Sequence, residues 1–268
     1  MSLPGRLVLL GHPVRHSLSP RFQNAALQAA GIPLTYEALD VPPHALSEVL
    51  SHLVAARGAG NVTVPHKAAV AAACGQLTDV ATRTGAVNTF WCDRGELHGD
   101  NTDVAGFRAL VLSVLGAEPS GAVLALLGAG GGAAAVCAAT ERWSRIRVLV
   151  HSRTPERSTR LARRFPGHVE VAASARDALR DASIVVNATP AGLSDDAMPV
   201  AIELLRRDAT VIDLAYRPGL TPWVRAANAA GHTAADGLEM LLAQGAEAFE
   251  RWFGIAPDRE AMRAALAA

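Results

Sequence analysis

The sequence predicts an α/β protein: an N-terminal α/β domain with a mainly parallel sheet, a second, doubly wound domain, and C-terminal helices that return to the first. Three observations carry this. Along residues 6–74, short apolar runs alternate with Ala- and Leu-rich helical spacing, a βαβαβα series that implies a mainly parallel sheet. A second series of the same kind begins at Ala122. From Leu238 onward the spacing is helical with no strand, so the tail cannot complete the second sheet. The domains are therefore read as 1–103, 104–237 and 238–268.

In the first series, residues 6–11 form an apolar strand and 20–30 a helix closed by Gly31. Strand 35–40, helix 43–56 and strand 60–64 follow, then an Ala-rich helix over 67–74, started just after Pro65. Residues 89–92 and 96–98, around Asp93-Arg94-Gly95, pattern as a hairpin. A helix spans 103–115, and 116–121, flanked by glycines, reads as a linker. The second series runs as strand 122–127, helix 131–139, strand 146–151, helix 155–165 and strands 183–187 and 210–214, a doubly wound pattern.

Composition narrows the function. Lys plus Arg and Asp plus Glu each number 25, so no overall field favours nucleic acid or an anionic membrane. At 4% aromatic residues there is little for stacking bases, and small-molecule chemistry remains. Cys74, Cys92 and Cys137 are isolated, as expected of buried thiols in a reducing compartment. The nine histidines form no HExxH, and no metal-ligand set is visible. Residues 119–140 carry no charge, long enough on paper to span a bilayer, but their glycine cluster divides them into a strand, a turn and a helix. No basic-then-apolar leader opens the chain, so the cytoplasm is the expected location.

Gly128, Ala129, Gly130, Gly131, Gly132 and Ala133 follow an apolar strand and open an Ala-rich helix. In that context glycines permit a tight turn and close approach of a pyrophosphate to a helix N-terminus, the mark of a Rossmann-type domain. About 25 residues beyond Gly128, where an NAD site places an acidic residue, stand Ser152, Arg153 and Thr154, with Arg157 a helical turn on. A guanidinium and hydroxyls suit a 2′-phosphate, so the expected cofactor is NADP. Asn187, Ala188 and Thr189, at the end of a later strand, are expected on the nicotinamide side, and Gly237 is assigned to the same site.

Polar residues also cluster at strand ends in the first domain: Ser17 and Ser19, then Asn61 to Lys67, then Asn88, then Asn101 to Asp103. Each has an ordinary structural alternative: Ser19 and Asp103 as helix N-caps, Asn88 as a turn residue, Lys67 as a surface charge. A parallel sheet brings its strand ends to one edge, where they form a pocket.

Taken together, Gly11 to Pro20, Asn61 to Lys67, Gly85 to Thr89, Asn101 to Asp103, the glycine loop and Gly237 to Gln244 resemble the shikimate dehydrogenase family in type and order, over nearly the whole chain. The resemblance implies NADPH-dependent, reversible reduction of 3-dehydroshikimate to shikimate. It implies a catalytic pair of Lys67 and Asp103, a carboxylate held by Ser17 and Ser19, and further substrate contacts from Thr63, Asn88, Tyr216 and Gln244. The chain departs from the family pattern in Gln23, where a His is common, in Ser152 for Asn, and in Val104 for Gly. An NAD-using quinate/shikimate dehydrogenase and a non-catalytic sensor of the ring acid are the alternatives, as is another reductase of this layout. A monomer or homodimer is expected.

Overall fold

The computed structural model describes residues 3–267 and divides the chain into two compact units, Met1–Gly106 with Leu241–Ala268, and Phe107–Met240.

In the first unit, strand β1 (Leu7–Gly11) is buried at every position, as a strand covered on both faces requires. Helix α1 (Ser19–Ala29) leads to β2 (Tyr36–Asp40); a 3-10 turn (Pro43–Ala45) and α2 (Leu46–Ala55) return to β3 (Ala59–Val62). The expected single helix over 43–56 is thus two pieces, with Pro43 opening the tighter one. Next come α3 (Lys67–Ala73), the short β4 (Gln76–Leu77) and α4 (Asp79–Thr84), then β5 (Thr89–Asp93) and β6 (Glu96–Asp100). Arg94 and Gly95 between the last two take positive φ of 49° and 81°, the backbone a tight primed turn demands.

The sheet order is β2-β1-β3-β5-β6-β4. β1 runs parallel to β2 and β3, whereas β5 is antiparallel to both β3 and β6. The start of β5 therefore lies beside the end of β3, and the end of β6 beside the start of β5. Val8, Leu10, Leu50, Leu53, Val62, Val70 and Phe90 fill one face of this sheet. Cys74 and Cys92 pack at its margin; burial pushes the first thiol up to about 12 and the second to about 11, so both stay protonated and unreactive.

Helix α5 (Asp103–Leu115) begins in the first unit and ends in the second. The expected linker at 116–121 lies inside the second unit, turning the chain into β7 (Val123–Leu127) with positive φ at Gly116 and Gly121. From there α6 (Gly131–Thr140), β8 (Arg147–His151), α7 (Pro155–Arg164), β9 (Val169–Val171), α8 (Ala175–Leu179), β10 (Ile184–Asn187), β11 (Thr210–Asp213), α9 (Pro222–Ala229) and β12 (Ala234–Ala235) follow. The order β12-β11-β10-β7-β8-β9 is parallel throughout. The chain moves outward from β7 in one direction and resumes at β10 in the other, so the crevice of a doubly wound sheet opens at the ends of β7 and β10. The uncharged stretch over 119–140 contains β7, the glycine turn and the whole of α6, and among the described residues no helix is long and apolar enough to cross a membrane.

Sequence reading passed over β4, α4, β9, α8, α9 and β12, all short. Three of them did carry a start signal: Thr78, Ser174 and Thr221 each accept the amide of the residue three positions on, capping α4, α8 and α9.

The tail is α10 (Leu238–Phe253) and α11 (Arg259–Ala267). Leu241 onward belongs to the first unit, where α11 packs on α1 and Trp252 Nε1 donates to the Phe90 carbonyl at 3.2 Å. A Cβ on Gly245 would stand 2.4 Å from the Phe22 ring, so only glycine lets α10 approach α1 this closely.

Candidate active site

The first unit gathers its polar residues at one sheet edge. Ser17 sits on the turn after β1 and Ser19 opens α1, while Thr63 sits on the turn after β3 and Lys67 opens α3. The two turns are tied: the Thr63 amide donates to the Leu10 carbonyl at 2.8 Å, and a Cβ on Gly11 would fall 2.4 Å from Thr63 Cγ2. Ser17 Oγ accepts the Ser19 amide at 3.2 Å, which fixes the pair to one another. Ser19 is the buried first residue of α1, one place past the N-cap, which is Leu18; its hydroxyl does not cap the helix.

Lys67 is not a surface charge. It opens α3 with a side chain only 18% exposed, and its Nζ donates to Asp103 Oδ2 at 2.5 Å. Asp103 opens α5, and its other oxygen accepts from Asn88 Nδ2 at 2.8 Å. The Asn88 amide nitrogen also reaches Thr102 Oγ1 at 3.0 Å and Gln244 Oε1 at 3.1 Å. It has two hydrogens for three acceptors, so acceptor capacity is left for a ligand hydroxyl. Asn88 reaches this edge as the residue before an antiparallel strand, not at the end of a parallel one.

A supporting layer, to which the sequence assigned no role, holds these groups. Asn88 Oδ1 accepts the Thr102 amide at 2.7 Å, and Asn101 Oδ1 accepts the Asp103 amide at 3.1 Å. Asn101 Nδ2 donates to Thr84 Oγ1 and the Ala86 carbonyl. Asn61 donates to the Asn88 carbonyl while accepting the Tyr36 hydroxyl at 2.8 Å. The signal available was the buried Asn and Thr residues packed around one turn, since polar groups in a core must be partnered.

In the second unit, the glycine loop follows β7. Gly128 has φ +110°, and a Cβ there would lie 2.7 Å from the Ala188 carbonyl oxygen, so the β7 and β10 turns touch through glycine backbone. Ala129 follows it. Around Gly130 a Cβ would meet nothing within 4 Å, and Gly130 caps α6 without a side chain. Gly131, Gly132 and Ala133 thus offer first-turn amides that no capping side chain satisfies. Arg153, Thr154 and Arg157 are exposed after β8, and neither guanidinium has a hydrogen bond or ion pair among the described residues. Ser152 Oγ bonds the Thr154 carbonyl and Ser158 Oγ, both at 2.8 Å, shaping that turn.

Asn187 is fully buried: its Oδ1 accepts the Thr189 amide and hydroxyl, and its Nδ2 donates to Asp213 Oδ1. The side chain is consumed in holding the turn that carries Ala188 and Thr189. Burial raises the Asp213 carboxyl above the usual carboxylate range against the bonds from Thr221, Ala215 and Asn187, and Asp236 is raised by burial as well. Gly237 has no room for a Cβ, which would fall 2.3 Å from the Leu214 carbonyl oxygen. Tyr216 lies half-buried on the turn after β11.

Residues 9–90 match the shikimate dehydrogenase substrate binding domain, and residues 237–267 the shikimate 5′-dehydrogenase C-terminal domain. A shikimate dehydrogenase (NADP(+)) of Rubrobacter xylanophilus is 44% identical over 267 residues, covering 96% of this chain and 94% of that protein. The chain belongs to the shikimate dehydrogenase family. Solved shikimate dehydrogenases share the whole fold. That of Aquifex aeolicus superposes with a TM-score of 0.91 at 33% identity, over 98% of each chain. That of Thermus thermophilus, solved with NADP(H) and shikimate, superposes at 0.88 with 38% identity over 99% of each chain. As a shikimate dehydrogenase, the chain combines in its second unit a glycine turn whose Gly128 has no room for a side chain, first-turn amides without a side-chain cap, and two arginines after β8 with no hydrogen bond or ion pair among the described residues.

Proposed function

We propose that the protein is an NADP-dependent shikimate dehydrogenase, reducing 3-dehydroshikimate to shikimate reversibly on the route to the aromatic amino acids. The observation that carries the reading is the Lys67–Asp103 pair, a shielded ammonium and carboxylate in contact at the end of the first sheet. When bound, NADP(H) supplies or takes up the hydride, leaving the proton to the protein. Lys67 donates a proton to the substrate oxygen during reduction and accepts it during oxidation. Asp103 orients that ammonium and takes a hydrogen bond from a neighbouring ring hydroxyl.

In this reading Ser17 and Ser19 hold the ring carboxylate, and Thr63, Asn88, Gln244 and Tyr216 bind the rest of the substrate. Gly128 to Ala133 and Gly237 admit the pyrophosphate. Ser152, Arg153, Thr154 and Arg157 take the 2′-phosphate, and the Asn187 to Thr189 turn flanks the nicotinamide. The enzyme works in the cytoplasm as a monomer or homodimer, its first domain comprising 1–103, its cofactor domain 104–237 and its closing helices 238–268. Initial rates of shikimate and quinate oxidation with NADP and with NAD, run in parallel, test substrate and cofactor together. Turnover only with quinate, or an NAD preference, contradicts the proposal, and no turnover at all favours the sensor.

A further inference from the structure

We propose that Arg251 is a positioning residue for the catalytic pair, acting through the carboxylate of Asp100. The inference rests on the reading of Lys67 and Asp103 given above. Arg251 stands in the last turn of α10, and its guanidinium donates to Asp100 Oδ2 at 2.7 Å. It also lies 5.8 Å over the Trp91 ring, which stacks in turn on His98 of the neighbouring strand. The arginine is therefore held over the β5–β6 hairpin from two sides.

What it neutralises is unusual. Asp100 is the last residue of β6, its side chain 7% exposed, whereas that of Arg251 is 48% exposed. The other Asp100 oxygen accepts the Thr78 hydroxyl at 2.5 Å and the Asn101 amide at 2.7 Å. Asn101 then accepts the Asp103 amide. A cation reaching in from solvent thus offsets the charge of a nearly buried carboxylate, and that carboxylate pins the start of the turn presenting Asp103 to Lys67. Without the cation Asp100 keeps only neutral donors, and a buried charge so left turns toward water or takes up a proton. Either response slackens the Asp100–Asp103 turn, and proton transfer is sensitive to small displacements of the groups that perform it.

The test is steady-state kinetics on the full-length enzyme with shikimate and NADP, with folding checked by circular dichroism and thermal midpoint. Arg251→Met should lower kcat roughly 5- to 20-fold while the KM for shikimate stays within about twofold, because the pair and not the carboxylate site is disturbed. Arg251→Lys, which keeps the charge, should retain most of the turnover. Asp100→Asn placed in the Arg251→Met background should recover most of the loss, since a neutral amide still accepts from Thr78 and Asn101 but no longer needs a cation. A folded Arg251→Met enzyme with near-normal kcat overturns the proposal. So does a loss that is just as large in Arg251→Lys and is not relieved by adding Asp100→Asn. Lys67→Met is assayed alongside: if it abolishes turnover while Arg251→Met leaves kcat near normal, the catalytic pair stands and only the role of Arg251 falls. Normal turnover in Lys67→Met removes both.

Discussion

Lys67 Nζ lies 2.5 Å from Asp103 Oδ2 although the two residues are 36 positions apart and open different helices. In the proposed mechanism they act on one step as one hydrogen-bonded unit. Lys67→Met should therefore lower turnover roughly 100-fold or more, with substrate affinity little changed, because it removes the proton carrier and keeps much of the stem. Asp103→Asn should lower turnover and also weaken binding. The double variant should be far less impaired than the product of the single effects. Full additivity in kcat would mean that the two residues work independently.

Arg153 has no protein partner to lose among the described residues, so its replacement reads out the cofactor directly. Arg153→Ala should weaken NADP much more than NAD, by the roughly 1.5–3 kcal/mol of a charge-assisted hydrogen bond. Titration of both dinucleotides against protein fluorescence measures this, and equal losses would refute a 2′-phosphate contact.

Ser17 and Ser19 are locked together through the Ser17 Oγ bond to the Ser19 amide. Replacing either by Ala should mainly raise the KM for shikimate, since carboxylate contacts persist unchanged from ground state to transition state. A normal KM in both variants would move the carboxylate elsewhere.

Gly128 and Gly130 lie two residues apart and should respond differently. At Gly128 a Cβ meets backbone at 2.7 Å with φ at +110°, so Gly128→Ala should destabilise the fold by about 1–3 kcal/mol or more. At Gly130 a Cβ meets nothing within 4 Å, so Gly130→Ala should leave the thermal midpoint nearly unchanged and weaken NADP by intruding where the pyrophosphate lies. Equal thermal midpoints for the two variants would contradict the geometry.

Asp213 sets a pH dependence of stability. Burial raises its carboxyl in the folded state, so between the unfolded and folded values the native protein binds more protons than the unfolded chain. Its contribution to stability is greatest at acid pH and is lost as pH rises through the folded value. Asp213→Asn cannot ionise, so relative to wild type it should gain stability as pH rises from the ordinary carboxylate value through the raised folded value, read as the difference in urea midpoints. A difference that shrinks or reverses over that range would mean that Asp213 is ionised without cost.

Much of the fold was legible because its signals are local. Apolar runs such as Leu7 to Gly11 and the helix opened by Asp103 fall within one or two residues of their predicted bounds, and Arg94-Gly95 marks its own turn. Elements of two to six residues, such as α4 and α8, were not, since they carry too few residues to show a period; the caps Thr78 and Ser174 were their only trace. The glycine loop could be read because strand, turn and helix are adjacent in the chain. Asn61 and Asn101 stood in the polar clusters at the strand ends without a role, and the supporting residues Thr84, Asp100 and Arg251 could not be read at all, because nothing in their neighbours along the chain distinguishes them from surface or turn positions.

The sequence alone determined the α/β class, the glycine turn and the residue types a ring acid and a 2′-phosphate require, since each depends on backbone preference or side-chain chemistry within a short segment. Only the tertiary structure decided which of those groups meet. Reversal of β5 carries Asn88 to the edge where β3 delivers Lys67, and α10 brings Gln244 to it from 156 positions away. Those contacts arise from sheet order and from the close approach that Gly245 permits α10, neither of which leaves a local periodicity to read.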